Sequence, residues 1–382
     1  MNGIGSVNGA PGISGGDVRA IELAKNWQLA GHHIHVFTSI AGVTLCRRMG
    51  LKSVFHIFHV PNSHSLKNYA VRFLKSWLLP KTLRDFKGII YSTSEHIYDV
   101  IPALRIKKKN NNSIWAAVVH FVAPFHRTGN NLLNSMFFYA NQRLGFNYIK
   151  NRADVVLAVS KNTVAQLKKI EIEKNVFPVE CGVNYKDIRQ IALAKESAGC
   201  ERKYDAIFMK RFSGTKGVFD IIKIWRNVVN KRKNAKLGMI GLGSKQTLSK
   251  LKNMIENYNI ITNVDFLGPI YDFETKFSLL SESKLFVLPS YEENWAIVIG
   301  EAITSGLPVV CYDLSDIRSI WIDKIAWVPK GNIGLFSDKI LQLLNDKQKR
   351  KKLSLEGIEF MKKYDWQKIA DEEMKFITSS II

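Results

Sequence analysis

The chain has 382 residues, 46% of them hydrophobic and 23% charged, which fills two ordinary domains and excludes an intrinsically disordered chain. Its formal net charge is +22, and residues 1–190 carry 25 Lys and Arg against 10 Asp and Glu. That asymmetry fits an anionic partner such as a lipid surface, a nucleic acid or a phosphorylated substrate; it fits equally a lysine-rich solvated surface.

In chain order, the first feature is a glycine turn, Ser14-Gly15-Gly16, ahead of a helical pattern over 19–30 that Gly31 ends. A doubly wound domain ordinarily opens with a central apolar strand before such a turn. None precedes it here, so we expect a truncated start with the first strand missing. Short Val/Ile-rich strands are expected at 33–39, 53–61, 88–91, 114–120 and 154–159, with helices between them. Residues 188–203 are polar and patternless, and we expect a hinge there. Strands then fit 205–209, 236–240, 264–267, 284–288 and 308–312, and helices fit 217–231, 245–257 and 335–344. The alternation predicts two Rossmann-like α/β domains with nucleotide sites at the strand C-termini. The expected divisions are 1–188, 204–362 and a C-terminal helix in 363–382 packing back on the first domain.

One helix has a second reading. In "LKNYAVRFLKSWLLPKTLRDFKG", residues 66–88, Leu66, Tyr69, Ala70, Phe73, Trp77 and Leu78 recur at helical spacing. Lys67, Arg72 and Lys75 fall mainly on other faces. The pattern suits a basic helix lying in a lipid interface, or a helix packing on its own sheet. No stretch approaches ~20 apolar residues, so no spanning helix is expected. The N-terminus lacks the segments of a signal peptide, and Cys46, Cys181, Cys200 and Cys311 show neither metal nor disulfide spacing. A cytoplasmic chain with reduced thiols is expected, peripheral on the inner membrane face if the amphipathic helix docks.

The chemistry concentrates in "PSYEENWAIVIGEAITSGLPVV", 289–310. Glu293 and Glu301 flank a run too apolar for a surface loop, and an unpaired buried carboxylate is costly. The bland reading is a helix cap and a lysine partner; the sharper one is a polar ligand such as a sugar nucleotide. The small residues and Gly306 after Glu301 predict a short helix. Glu293 then lies in the loop before it, with the amides of Asn294, Trp295 and Ala296 at the helix entrance. Such amides bind phosphates, and carboxylates accept hydrogen bonds from sugar hydroxyls. The Gly15-Gly16 turn is a second, weaker phosphate signal. Gly241-Leu242-Gly243 is a lone Gly-x-Gly and weaker still.

The stretch 289–310 resembles the Glu–seven residues–Glu motif of the family 4 (group 1) glycosyltransferases. Other segments resemble that family in order along nearly the whole chain. They are "GGDVRAIELAKNWQLAGHHIHVFT", "ADVVLAVSKNTVAQL", "ECGVNYKDI", "FMKRFSGTKGVFDIIKIW" and "WQKIADEEM". The resemblance implies GT-B architecture, two Rossmann-like doubly wound domains facing across a cleft. It implies that Arg211 and Lys216 hold the donor diphosphate, Glu301 the ribose and Glu293 the transferred sugar. Gly16 would let the backbone approach a phosphate, and His120 would sit near the donor sugar. Two departures stand out: Glu-Asn-Trp-Ala replaces Glu-Gly-Phe-Gly at 293–296, and Lys210 stands where the family has Gly.

The reading is a retaining glycosyltransferase with no cofactor. A nucleotide-diphosphate sugar is the donor substrate, and the acceptor is a sugar or a lipid-linked sugar of the cell envelope. No Asp-x-Asp motif is present, and no metal is expected. An anionic membrane surface is a further partner; no specific nucleic acid is. One rival is a sugar hydrolase with Glu293 and Glu301 as its acid–base pair. That pair must lie about 5–9.5 Å apart, whereas eight residues of continuous helix span ~12 Å. The other rival is a non-catalytic basic membrane-surface or nucleotide-binding protein of the same fold.

Overall fold

The computed structural model describes Ser6–Val7, Ala10–Pro11, 14–60, 66–78, 83, 85–123, 125 and 132–379. The chain divides into two compact units, Met1–Cys181 with Trp366–Ile382, and Gly182–Asp365.

In unit 1, strands β1 (Ser6–Val7) and β2 (Ala10–Pro11) pair with each other, antiparallel, and with no other strand among the described residues. Helix α1 (Gly15–Leu29) follows, and Ser14 and Asp17 form a capping box at its start. The unit continues through β3 (His35–Thr38), α2 (Ile40–Arg48), β4 (Val54–Ile57), α3 (Leu66–Ser76), β5 (Ile89–Ser92), α4 (Ile97–Lys109), β6 (Ile114–Val119), α5 (Leu132–Arg152), β7 (Val155–Ala158), α6 (Lys161–Lys168) and β8 (Val176–Pro178). Its parallel strands form two sheets, β3-β4 and β5-β6-β7-β8, and no described strand joins them. The apolar runs of β6 and β7 are buried, as strands covered on both faces are.

Unit 2 runs through α7 (Tyr185–Ser197), β9 (Ala206–Met209), α8 (Val218–Lys231), β10 (Leu237–Ile240), α9 (Lys245–Asn257), β11 (Val264–Gly268), α10 (Phe273–Ser281), β12 (Phe286–Leu288), α11 (Ile297–Thr304), β13 (Val309–Tyr312), α12 (Ser315–Trp321), β14 (Ala326–Val328), α13 (Ile333–Asn345) and α14 (Lys347–Met361). The sheet order is β11-β10-β9-β12-β13-β14, every pair parallel. This is the 3-2-1-4-5-6 order of a doubly wound sheet. Its switch point lies between β9 and β12, where ligands of such sheets bind beyond the strand C-termini. Helix α8 buries Val218, Ile221, Ile222, Trp225, Val228 and Val229, the amphipathic stripe its sequence predicts.

The expected hinge at 188–203 is corrected. Residues 188–197 are helical, part of α7, and they belong to unit 2, where α7 packs on α10 and α11. Only Ile188 and Ala192 are buried, one turn apart, too few apolar positions to show as periodicity. The unit boundary falls at 181/182 instead.

The C-terminal helix α15 (Trp366–Ser379) belongs to unit 1 and lies along α1. Buried Arg19 of α1 pairs with Glu373 of α15 and donates to the Tyr91 hydroxyl (2.8 Å), which donates to Glu373 (2.6 Å). Trp27 Nε1 donates to the Ala370 carbonyl (3.0 Å). Burial works against the Arg19 charge, but Glu373, Tyr91 and Cys181 together outweigh it and the guanidinium pKa is raised.

Helix α3 corrects part of the amphipathic reading. Tyr69 and Phe73 pack against buried Ile97, Tyr98 and Ile101 of α4, and Arg72 is fully buried rather than on a solvated face. Ala70, Leu74, Trp77 and Leu78 remain exposed. Residues 79–82 and 84 of that stretch, and the side chains of Leu66 and Lys67, lie outside the described residues. Among the described residues no helix is long and apolar enough to cross a membrane.

Candidate functional site

The switch point of unit 2 gathers most of the residues the sequence singled out. Lys210 and Arg211 follow β9, Lys216 ends the short turn Gly214–Lys216, and Glu293 lies in the loop after β12. Glu293 is 7% exposed. Lys210 Nζ donates to its Oε2 at 2.9 Å, while Lys216 Nζ lies 3.3 Å from its Oε1. The Lys216 ammonium is turned toward the Glu292 carbonyl, to which it donates at 2.6 Å. Apart from that ion-pair contact, Glu293 Oε1 is buried without a hydrogen bond.

Burial alone would raise the Glu293 carboxyl pKa. The charges of Lys210 and Lys216 outweigh burial, and the group is held below the usual carboxylate range. The neighbouring Ser290 hydroxyl contributes to that lowering, although its geometry falls short of a hydrogen bond. Lys216 moves the other way from a simple paired lysine. Burial, aided by Lys210, lowers its pKa against the pull of Glu293. Two ammonium groups around one buried carboxylate leave an excess positive charge, which an anionic ligand would balance.

Two glycine approaches and one pair of side-chain hydrogen bonds build this cluster. Gly217 has φ +69°, and a Cβ there would stand 1.7 Å from the Pro289 carbonyl oxygen. At Gly241 a Cβ would stand 1.9 Å from the Lys210 carbonyl oxygen. Both close approaches bring loops onto the strand ends at the switch point. The Tyr291 and Tyr312 hydroxyls both donate to Asp220 of α8, at 2.5 and 3.0 Å, tying the Glu293 loop to that helix. Sequence reasoning passed over Gly217, Asp220, Tyr291 and Tyr312, and rated Gly241 weak. The only signal in the sequence was the Lys-Gly and Gly-x-Gly pairing itself.

Ala296 caps α11 with φ +59°, the left-handed region that glycine favours. Among the described residues the amides of Asn294, Trp295 and Ala296 donate no hydrogen bond. Trp295 is buried edge-on to Trp321 at 4.8 Å and holds its carbonyl to Trp321 Nε1 (3.0 Å), so the turn into the helix is fixed from behind. Asn294 is exposed. Glu301 lies within α11 and is paired with Lys276 of α10 at 2.8 Å, the lysine partner of the bland reading. Arg211 is exposed, and its side chain has no ion pair or hydrogen bond among the described residues. The structure thus joins Lys210, not Arg211, to Lys216 and Glu293.

Unit 1 holds the remaining candidates. Gly15 opens α1, and Gly16 abuts His120, where a Cβ would stand 2.8 Å from Nε2 of the ring. Gly16 is needed for that close approach whatever else it meets. His120 Nε2 faces the Thr93 carbonyl at 2.9 Å. A carbonyl only accepts, so Nε2 carries the hydrogen of that bond, which leaves Nδ1 outside it. The His120 amide donates to buried Glu95 (3.0 Å), whose other oxygen takes a hydrogen bond from Gln142 (2.9 Å). This buried support for the histidine went unseen in the sequence.

Two family models match the chain, Glycosyltransferase Family 4 over residues 13–187 and Glycosyl transferases group 1 over 191–360. The chain is 27% identical over 232 residues to an uncharacterized glycosyltransferase of Methanocaldococcus jannaschii, covering 59% of this chain and 60% of that one. It is 25% identical over 200 residues to a phosphatidyl-myo-inositol mannosyltransferase of Mycobacterium leprae, covering 51% of each. The match thus spans about half the length of these curated relatives. Among solved structures, Anabaena HepE in complex with UDP and glucose superposes with a TM-score of 0.75 at 16% identity, covering 96% of each chain. That likeness shows the fold, which is GT-B.

Proposed function

The chain belongs to the group 1 glycosyl transferases, and we propose that it moves a sugar from a nucleotide-diphosphate donor to an acceptor with retention of configuration. The observation that carries this reading is the switch point of unit 2. There a buried carboxylate stands between two lysines, beside a helix entrance with undonated amides. In this reading Lys216, exposed Arg211 and the amides of 294–296 take the diphosphate, Glu301 the ribose and Glu293 a sugar hydroxyl. The bond from the anomeric carbon to the diphosphate breaks, and a bond to the acceptor oxygen forms on the same face. The leaving phosphate takes the acceptor proton, so no protein nucleophile is used. Charge develops on the leaving diphosphate, where fixed cations lower the barrier without a metal ion. In unit 1 the reading assigns Gly16 and Nδ1 of His120 to ligand contact.

A cell-envelope acceptor is part of the proposal. It is supported by the mycobacterial relative, whose name places its mannose on a phosphatidyl-myo-inositol. Docking on an anionic membrane is supported by the excess of Lys and Arg in residues 1–190 and by exposed Leu74, Trp77 and Leu78.

Calorimetry with UDP and GDP tests the core of the reading. The wild type binds one of them, Glu301→Ala binds it more weakly, and Glu293→Ala binds it nearly as well but fails in transfer. Binding of neither nucleotide by the wild type would overturn the proposal.

A further inference from the structure

We propose that Lys210 is a specificity-determining residue, pinning one oxygen of Glu293 so that the other reads a single hydroxyl of the donor sugar. The inference rests on the donor reading above and goes beyond it, because Lys210 stands where the family resemblance would put glycine.

The backbone of Lys210 is fixed. Its amide donates to the Ile240 carbonyl at 3.1 Å, and its own carbonyl is closed off by the Gly241 turn. The ammonium therefore reaches Glu293 from an immobile base, and both groups are largely removed from water, at 17% and 5% side-chain exposure. Oε2 is occupied by Lys210. Oε1 accepts no hydrogen bond and has only an ion-pair contact, Lys216 Nζ at 3.3 Å, whose ammonium also donates to the Glu292 carbonyl. A carboxylate free of Lys210 could turn and offer either oxygen to either of two sugar hydroxyls. Pinned, it offers one buried acceptor in one place. A donor with its hydroxyl elsewhere leaves that acceptor unpaired, and sites built this way discriminate strongly. The groups facing Glu293 are Lys210 beyond β9, Lys216 from the turn, and on β13 Cys311, whose buried thiol stays neutral. Loss of Lys210 leaves Lys216 as the one cation holding the carboxylate ionised.

The test compares wild type, Lys210→Met and Lys210→Arg for binding of UDP, GDP, UDP-glucose, UDP-galactose and GDP-mannose. In Lys210→Met, affinity for the preferred nucleotide sugar falls at least tenfold while affinity for its nucleoside diphosphate changes less than threefold. Selectivity between UDP-glucose and UDP-galactose, or between the GDP-mannose and UDP-glucose pairs if the wild type prefers GDP, narrows by a similar factor. The acid limb of sugar-dependent binding moves to higher pH. Lys210→Arg restores affinity and selectivity. Equal losses for sugar and diphosphate ligands, no loss, or an unmoved acid limb would overturn the inference while leaving the donor reading intact. A wild type that binds none of the five ligands would overturn both.

Discussion

Replacing Gly217 by alanine tests whether a close backbone approach, and not only side-chain identity, builds the cation cluster. A Cβ at 217 would stand 1.7 Å from the Pro289 carbonyl oxygen, against ordinary contacts of 3.4–4 Å, so the Lys216 turn or the Pro289 loop must move by more than an ångström. The backbone at 217 has φ +69°, which costs an L-residue roughly 1–2 kcal/mol before any clash. For a unit of this size each kcal/mol lowers Tm by about 2–4 °C, so a drop of roughly 2–8 °C is the floor. The displaced parts carry Lys216 and Glu293, and a misplacement of about 1 Å costs of order 10² in rate. Gly214→Ala is the matched control, because nothing lies within 4 Å of its Cβ and its φ is not positive. Calorimetric unfolding and nucleoside diphosphate binding on both variants decide the point. If Gly217→Ala melts and binds like Gly214→Ala, the turn does not depend on that approach and the reasoning fails.

Ala296→Gly removes a left-handed alanine worth roughly 1–2 kcal/mol of strain and adds roughly 0.4–1 kcal/mol of unfolded-chain entropy cost, so Tm holds or rises, by up to about 6 °C; a lower Tm would show that the strain is not there. Glu293 has its folded pKa below the unfolded value near 4.5, so the unfolded state binds more protons in that range. Its contribution to stability is full above pH 4.5 and is lost as pH falls below it. Melting curves from pH 6 to pH 3 should therefore fall more steeply in the wild type than in Glu293→Gln, and parallel curves would contradict the pairing. Liposome co-sedimentation should favour phosphatidylglycerol over phosphatidylcholine, weaken with salt, and weaken further in the Trp77→Ser and Leu78→Ser pair; indifference to lipid charge would remove the membrane from the account.

The alternation of strands and helices and the two Rossmann-like patterns were legible in the residues alone, and so was the Glu293–Glu301 segment as the candidate site. Those are periodic or local properties: all-apolar runs such as 206–209 and 309–312 suit covered strands, and the glycine after Glu301 ends its helix. The tertiary structure decided which cation meets Glu293. Lys210 and Arg211 are neighbours just past a strand end, where successive side chains point to opposite sides, and only the register of β9 against β12 shows that Lys210 faces the carboxylate. It also decided that α7 joins unit 2 on the strength of two buried residues, and that Arg72 turns inward beside Tyr69 and Phe73. The approach of Gly217 to Pro289 pairs residues 72 positions apart, a distance no local pattern can register. Spacing along the chain names the groups that can do the chemistry; which of them touch depends on where the strand ends are brought together.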